Sequence, residues 1–261
     1  MDIDIQSKIN EYKNNRIIFT EAKKNEVAFK AWWDDFVIRF CWNSNAIEGN
    51  TLSLEETIDV IDYDEVRGGH TYSEYREAVS LHSAIQSKLV PLQTIIDQAW
   101  IKDCNSRIME TDGGYRKKPV YIGTLLETIY VPPDFKKIPE LMEQYMIDKE
   151  NVTADNDDLG GFVKKMAENH IEFERIHPFS DGNGRTGRMI LNQTLINNDM
   201  FPIIILDNSK YRQAFERYDR NKETDLMEYL IIAGEIDAVE RFNYFLEITM
   251  NSKNIDDKNA R

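Results

Sequence analysis

Residues 159–198 carry two apolar stripes separated by a turn, and this arrangement constrains the fold of the chain most strongly. Apolar residues recur at the i, i+3, i+4 and i+7 positions from residue 159 onward, which predicts an amphipathic helix over about residues 159–175. Pro178 lacks a main-chain donor and clashes with a preceding helical turn, so that helix cannot continue through it. A second helix is predicted from about Asn183 to Asn198. The two helices must therefore meet at the short segment between them.

Long helices are favoured elsewhere too, because only 12 glycines and 7 prolines interrupt the 261 residues. Helical patterns occur at residues 28–41, where adjacent apolar pairs recur every four positions, and at residues 225–250. Residues 113–133 break the pattern with glycines, three prolines and β-forming residues, which predicts a short hairpin. The tail after residue 250 has no core pattern and is expected to fray. The predicted fold is all-α with a short β-hairpin flap, in a single domain.

Composition and charge exclude several classes of function. Acidic residues (46) outnumber basic residues (32), and the net charge of −14 argues against a general nucleic-acid binder, although not against a small phosphate ligand. No apolar run has the length of a membrane span, and the acidic, polar start does not resemble a signal peptide. Cys41 and Cys104 have no metal-binding spacing and are expected to be reduced thiols. We therefore expect a cytoplasmic protein with no membrane and no nucleic-acid partner.

The segment between the two central helices, RIHPFSDGNGRTGR at residues 175–188, combines groups that suit phosphate chemistry. A glycine-rich turn that leads into a helix leaves main-chain N–H groups free to bind an anion. Arg185 and Arg188 lie three residues apart and reach over the same helix face. Asp181 offers a hard oxygen ligand for Mg²⁺, and His177 can accept a proton near neutral pH. Each feature alone is more often structural, but their conjunction predicts a site for a nucleotide triphosphate and a metal ion.

The stretch HPFSDGNGRTGR resembles the signature of the Fic family, HPFx[DE]GNGRxxR, at every fixed position. The resemblance extends over roughly residues 44–232, and GGYRKKPVYIG resembles the family's flap. It implies a mostly helical Fic-type domain over residues 1–261, with N-terminal helices to residue 50, a core over about residues 51–232, and a C-terminal helix and tail. It also implies transfer of AMP from ATP, with Mg²⁺, to a hydroxyl side chain of a protein.

The resemblance gives roles to individual residues. His177 resembles the general base, Asp181 the Mg²⁺ ligand, and Phe179 the anchor of the loop. The expected nucleotide-binding residues are Gly182, Asn183, Gly184, Arg185, Thr186, Gly187 and Arg188, with Arg188 as the partner of the γ-phosphate. Tyr211 is a candidate wall of the adenine pocket, with Tyr218 in reserve. His170 lies in an apolar stripe, which favours a hydrogen-bonded core histidine. The flap residues Val120, Tyr121, Ile122 and Gly123 are expected to dock the target as an added strand.

An upstream stretch, SNAIEGN at residues 44–50, fits the pattern [ST]-x-x-x-E-[GN] and resembles the family's inhibitory motif. Glu48 is then expected to pair with Arg188 in competition with ATP, and Ser44 to help hold the inhibitory helix. The alternative is an ordinary helix C-terminus with Gly49 as its cap.

Several functions remain open at this stage. The same site could remove AMP from a modified protein, with Glu48 positioning a water molecule, or transfer another nucleotide. Gly184 argues against a kinase of the Doc branch, because the resemblance implies a larger residue there. A non-enzymatic interaction module is the remaining class. The expected partners are a protein with an exposed hydroxyl group, the chain itself as a substrate, and a second copy in a homodimer.

Overall fold

The computed structural model describes residues 4–123, 128–150 and 158–259, and it is all-α apart from one short pair of strands. The helices are α1 (Ile5–Asn15), α2 (Phe19–Lys23), α3 (Glu26–Ile47), α4 (Leu54–Asp62), α5 (Tyr72–Lys88), α6 (Gln98–Met109), α7 (Ile138–Glu150), α8 (Leu159–Ile176), α9 (Asn183–Asn197), α10 (Asn208–Asn221) and α11 (Asp225–Asn259). A 3₁₀ turn, Phe135–Lys137, precedes α7. Within the described ranges, none of the helices is both long enough and apolar enough to cross a membrane.

Local sequence signals explain where several helices begin. Ser53 and Glu56 form a reciprocal capping box at the start of α4, and Thr71 and Glu74 form another at the start of α5. Asp158 caps α8 by accepting a hydrogen bond from the Gly161 N–H. These caps satisfy donors that would otherwise lack a partner, and they fix the point at which each chain segment enters the core.

The paired apolar positions of α3 form the centre of the core. Trp32 is buried, and its ring lies within 6.4 Å, centroid to centroid, of six aromatic rings: Phe19, Phe29, Trp33, Phe36, Phe201 and Phe242. These rings come from α2, α3, α11 and the segment after α9. The cluster thus holds the long N-terminal helix α3 against the C-terminal half of the chain.

Helices α8 and α9 agree closely with the predicted pair, and the turn between them occupies residues 177–182. α9 is buried over most of its length, including the polar side chains of Asn192 and Gln193. α8, α6 and α3 all pack against α9. The turn is therefore held at the centre of the helical assembly.

Two sequence expectations need revision or limitation. The predicted frayed tail is wrong in part, because α11 continues to Asn259, and no proline or glycine after residue 250 interrupts it. In the predicted hairpin region, Ile122–Gly123 and Thr128–Tyr130 pair as antiparallel strands, with Ile122 opposite Tyr130. Residues 124–127 lie outside the described residues, so the turn that would join these strands does too.

Truncation of Trp32 tests the role of the aromatic cluster. Trp32→Ala should lower the free energy of unfolding by about 3–5 kcal/mol, because a large buried ring is removed from a core that can collapse only partly. Chemical denaturation followed by circular dichroism measures the loss. The neighbouring Trp33→Ala is a matched control, because Trp33 is only partly buried, and it should cost less than half as much. Equal losses would contradict a central role for the Trp32 cluster.

Candidate active site

His177 lies at the point where α8 ends and the turn begins. Its φ of 50° places it in the left-handed region, and its N–H donates to the Phe173 carbonyl to close the helix. The Nδ1 atom lies 3.3 Å from the Glu174 carbonyl oxygen, which can only accept, so Nδ1 carries the proton and Nε2 carries a lone pair. Burial lowers the pKa of His177 below its usual value of 6.5. The imidazole is therefore neutral near pH 7 and able to act as a base.

The turn after His177 is fixed by reciprocal bonds between Phe179 and Asn183. The Asn183 Oδ1 accepts from the Phe179 N–H at 2.9 Å, and its Nδ2 donates to the Phe179 carbonyl at 3.0 Å. Phe179 is fully buried, as expected for an anchor. Since both ends of the Asn183 amide are used in this way, the group that Asn183 can offer a ligand is its main-chain N–H.

The N-terminus of α9 is built for the close approach of an anion. Gly182 is the N-cap residue in the left-handed region, with a φ of 74°, and no side chain caps the helix there. The first N–H groups of a helix have no acceptor within it. A Cβ atom at Gly184 would overlap Oε1 of Glu48, so glycine leaves room for a carboxylate directly over this helix end. The helix dipole favours the same negative charge.

Arg185 is a buried cation with weak compensation. Only 4% of the residue is exposed, and its Nη2 contacts the Met109 sulfur at 3.2 Å and an Asp181 oxygen at 3.9 Å. Its Nε atom is buried and has no hydrogen-bond partner among the described residues. Because a buried charge is costly unless it is paired, this guanidinium favours the binding of an anion.

Arg188, one helical turn further on, already has its partners. Its Nε donates to the Ser44 hydroxyl at 2.9 Å, and its Nη2 donates to the Ser44 carbonyl at 2.8 Å and to Glu48 Oε1 at 2.6 Å. Burial opposes the charged form, but neighbouring groups, Glu48 first among them, outweigh it and raise the pKa of the Arg188 guanidinium. The Arg188 side chain is 2% exposed and that of Glu48 is 39% exposed, so water reaches only the carboxylate end of the pair.

Glu174 is a second carboxyl group near Arg188, and sequence reasoning missed it. It is buried, and burial raises its pKa to about 8 against the opposing effect of Arg188. It is therefore mostly protonated near pH 7 and contributes little negative charge. Glu48 is the carboxylate that neutralises Arg188 at this pH. The signal for Glu174 in the sequence was its place on the buried side of α8, three residues before His177.

Asp181 lies on the open side of the turn. Its side chain is 73% exposed, and its Oδ1 accepts from the Gly182 N–H at 2.5 Å. Among the residues that the structure describes, no cluster of three or more histidine, cysteine or acidic side chains could form a metal site by itself. This single carboxylate nevertheless fits Mg²⁺, which is commonly held by one or two carboxylates together with phosphate oxygens and water.

Three residues that the sequence predicted to contact the nucleotide lie on the buried side of the site. The Thr186 hydroxyl donates to the Gly182 carbonyl at 2.8 Å and is fully buried, and a Cβ at Gly187 would meet Glu174. Tyr211 is 4% exposed, and its hydroxyl lies 2.8 Å from Nε2 of His170. The ring and hydroxyl of Tyr211 are thus both enclosed, and its assignment to the wall of an adenine pocket stays a prediction. His170 is the hydrogen-bonded core histidine that the sequence predicted.

Arg116 is the second feature that sequence reasoning missed. It is 3% exposed and donates from Nε to the His177 carbonyl at 2.8 Å and from Nη2 to the Pro133 carbonyl at 2.6 Å. Its main-chain N–H donates to the Pro178 carbonyl at 2.9 Å. Arg116 thus ties both sides of the strand pair to the main chain of the His177 turn. Its place in the basic stretch RKKP is more typical of a solvent-exposed side chain, so the sequence pattern gives no signal for this role.

Comparison with known proteins agrees with this geometry. Residues 95–195 match the model of the Fic/DOC family. The chain is 27% identical over 215 residues to the protein adenylyltransferase Fic of Aedes aegypti, covering 79% of this chain and 42% of that protein. It is 28% identical over 177 residues to the protein adenylyltransferase fic-1 of Caenorhabditis elegans, covering 64% of this chain and 33% of that protein. The chain thus spans less than half the length of these relatives.

The fold is also found in solved structures. A Fic domain containing signaling protein from Bacteroides thetaiotaomicron superposes with a TM-score of 0.72 at 21% identity, covering 93% of this chain and 97% of the other. A Fic family protein from Desulfovibrio desulfuricans gives a TM-score of 0.71 at 22% identity, covering 91% and 72%. Residues 95–195 of the chain thus match the Fic/DOC family, the chain has the all-α fold of solved Fic structures, and it is distantly similar, at about 27% identity, to the protein adenylyltransferases named Fic.

Proposed function

We propose that this chain is a self-inhibited protein adenylyltransferase, which transfers AMP from ATP to a hydroxyl group of a protein. The observation that carries the proposal is the weakly compensated Arg185 at the open N-terminus of α9, beside a neutral His177. A triphosphate supplies the anion that Arg185 lacks. The relatives named protein adenylyltransferase indicate which triphosphate chemistry to test first.

His177 and the turn have separate tasks in this mechanism. Nε2 of His177 takes the proton from the target hydroxyl, whose oxygen then attacks the α-phosphorus while pyrophosphate leaves. The N–H groups at the start of α9 and the guanidinium of Arg185 hold the phosphate oxygens. Asp181 would hold Mg²⁺, which when bound neutralises part of the phosphate charge. Such a reaction depends on positioning and charge neutralisation more than on covalent chemistry by the protein.

Glu48 provides the inhibition. Its carboxylate occupies Arg188 at 2.6 Å and lies against Gly184, where the end of a triphosphate would otherwise reach the same guanidinium. ATP then binds through the glycine-rich turn without its γ-phosphate partner, and its α-phosphorus is misaligned for attack. The helix-cap interpretation holds as well, because α3 ends at Ile47 and Gly49 has a φ of 99°. That helix end is what directs the Glu48 side chain toward Arg188.

The strand pair is the proposed docking edge for the target. Tyr121, 60% exposed, precedes the first strand, and Val131, 68% exposed, follows the second. An extended peptide can add to such an edge through main-chain hydrogen bonds, with little dependence on its sequence. Arg116 connects this edge to the His177 turn, so a docked segment is held near the base. The chain's own exposed hydroxyl groups are candidates for the same reaction.

Removal of AMP from a modified protein is the second candidate. The observation that favours it is the 39% exposure of the Glu48 side chain, which leaves part of the carboxylate in contact with water. A carboxylate placed there could orient a water molecule toward a phosphorus atom. Release of AMP from a modified protein by the parent chain, but not by Glu48→Gln, would distinguish this reaction from transfer.

Removal of the inhibitory carboxylate is the first test. Glu48→Gly, incubated with ATP and Mg²⁺, should modify itself about 10² times faster than the parent, because a misplacement of about 1 Å can cost that factor. Intact-mass spectrometry should detect a gain of one or more AMP groups. Glu48→Gln is the matched control, since it keeps the side-chain shape without the charge, and it should give an intermediate rate. If Glu48→Gly is as inactive as the parent on itself and in a cell lysate, the inhibition proposal is wrong.

Removal of the base is the second test, made in the activated background. His177→Ala combined with Glu48→Gly should lower the transfer rate by ~10² to 10⁴, the usual contribution of a general base. ATP affinity, measured by calorimetry, should change little, because His177 is not needed to hold phosphates. His170→Ala, which removes a buried histidine outside the turn, serves as a control for damage to the fold. Undiminished transfer without His177 would contradict its role.

A further inference from the structure

Four exposed lysines flank the strand pair, two before the first strand and two after the second. We call them the flanking lysines: Lys117, Lys118, Lys136 and Lys137. Lys117 and Lys118 directly follow Arg116, and Lys136 and Lys137 lie in the 3₁₀ turn three and four residues after Pro133. Arg116 donates to the carbonyls of both Lys118 and Pro133, at 3.2 and 2.6 Å. The two lysine pairs therefore belong to a single surface.

The flanking lysines, like some other lysines such as Lys102 and Lys222, have no ionic partner among the described residues. Six lysines elsewhere form ion pairs within 4.0 Å of a carboxylate: Lys8, Lys24, Lys30, Lys88, Lys164 and Lys210. None of the flanking lysines does so within the described ranges. The nearest acidic residue in sequence, Asp134, uses its Oδ1 to accept the Lys136 N–H at 2.9 Å, which caps the 3₁₀ turn. The four lysines outnumber this one carboxylate, so the surface carries a net positive charge.

The surface lies close to the proposed catalytic base. The side chain and N–H of Arg116, the residue before Lys117, contact the carbonyls of His177 and Pro178 at 2.8 and 2.9 Å. Because the two strands are antiparallel, the residues before the first strand and after the second lie at the same end of the pair. A target segment that docks on the strand pair with its hydroxyl group near His177 therefore passes the flanking lysines at that end.

We propose that the flanking lysines select protein targets whose modified hydroxyl group lies within an acidic segment. This inference rests on the proposed adenylyltransferase function and adds the substrate class. The charge of the flanking lysines acts locally, because at about 0.1 M salt the screening length is about 10 Å, and distant charges that contribute to the chain's net charge of −14 are largely screened. Exposed charge pairs are individually weak, and only several acting together give useful discrimination. Two lysine pairs on one short edge meet that requirement.

Two labelled peptides test the proposal by direct binding, which does not require catalysis. Each has a single serine between two runs of four residues, glutamate in one peptide and glutamine in the other. Fluorescence anisotropy with the parent protein at about 0.1 M salt should give about tenfold tighter binding of the acidic peptide, and the difference should disappear near 1 M salt. Lys117→Gln/Lys118→Gln and Lys136→Gln/Lys137→Gln should each lose most of the preference.

Lys164→Gln/Lys165→Gln is the matched control, because it removes an adjacent exposed pair on α8 and should keep the full preference. Equal binding of the two peptides, or a preference that survives both flanking variants, would overturn the proposal. So would a short single-stranded DNA that binds this surface more tightly than the acidic peptide. With Glu48→Gly and ATP, the acidic peptide should also receive AMP about tenfold faster. Binding without any AMP incorporation would contradict the proposed function and leave the acidic selectivity supported.

Discussion

Burial of the Arg188 guanidinium is the constraint on which the rest of this site depends. A permanently charged group that is 2% exposed needs an anionic partner, because loss of that partner leaves an unpaired buried charge. Ser44 supplies a hydroxyl and a carbonyl, but neither neutralises the charge. Glu174 does not do so either near pH 7, since burial raises its pKa to about 8. The positive charge of Arg188 must therefore be neutralised by Glu48, or by an anion that replaces it.

This requirement gives α3 two functions at once. Its first half holds the aromatic cluster around Trp32, and its last turn delivers Ser44 and Glu48 to α9. Because α3 is anchored in the core, the Glu48 carboxylate cannot leave Arg188 by movement of the whole helix without disturbing that core. Rotation of the Glu48 side chain is the smaller change, and the partial exposure of its carboxylate leaves room for it. Water can then solvate the Glu48 carboxylate, which lowers the free-energy cost of separating it from Arg188.

The features that could be predicted from the sequence are those that depend on local pattern. Apolar periodicity located α8 and α9, and Pro178 and Gly182 located the turn between them. The pairing of Glu48 with Arg188 joins residues 140 positions apart, and only the family resemblance made it predictable. His170 could be assigned to the core from its place in an apolar stripe.

The features that could not be predicted depend on the direction of a side chain across the core. Tyr211 is an aromatic residue of the kind that lines adenine pockets, but its position on α10 directs its hydroxyl toward His170. Arg116 looks like part of a basic surface run, yet its hydrogen bonds to the carbonyls of His177, Lys118 and Pro133 hold it inside. Thr186 and Gly187 belong to a signature that suggests ligand contact throughout, whereas α9 is buried over most of its length and encloses both residues. Such orientations are set by tertiary packing, which a single sequence pattern does not encode.

The central claim is that Glu48 and the γ-phosphate compete for one guanidinium, and the affinities for ATP and ADP test it most directly. Calorimetry with Mg²⁺ should give nearly equal dissociation constants for ATP and ADP in the parent protein, because Glu48 already occupies Arg188. In Glu48→Gly the γ-phosphate gains that partner, and a charged hydrogen bond should make ATP bind about tenfold more tightly than ADP. The same ratio of affinities in both proteins would contradict the account.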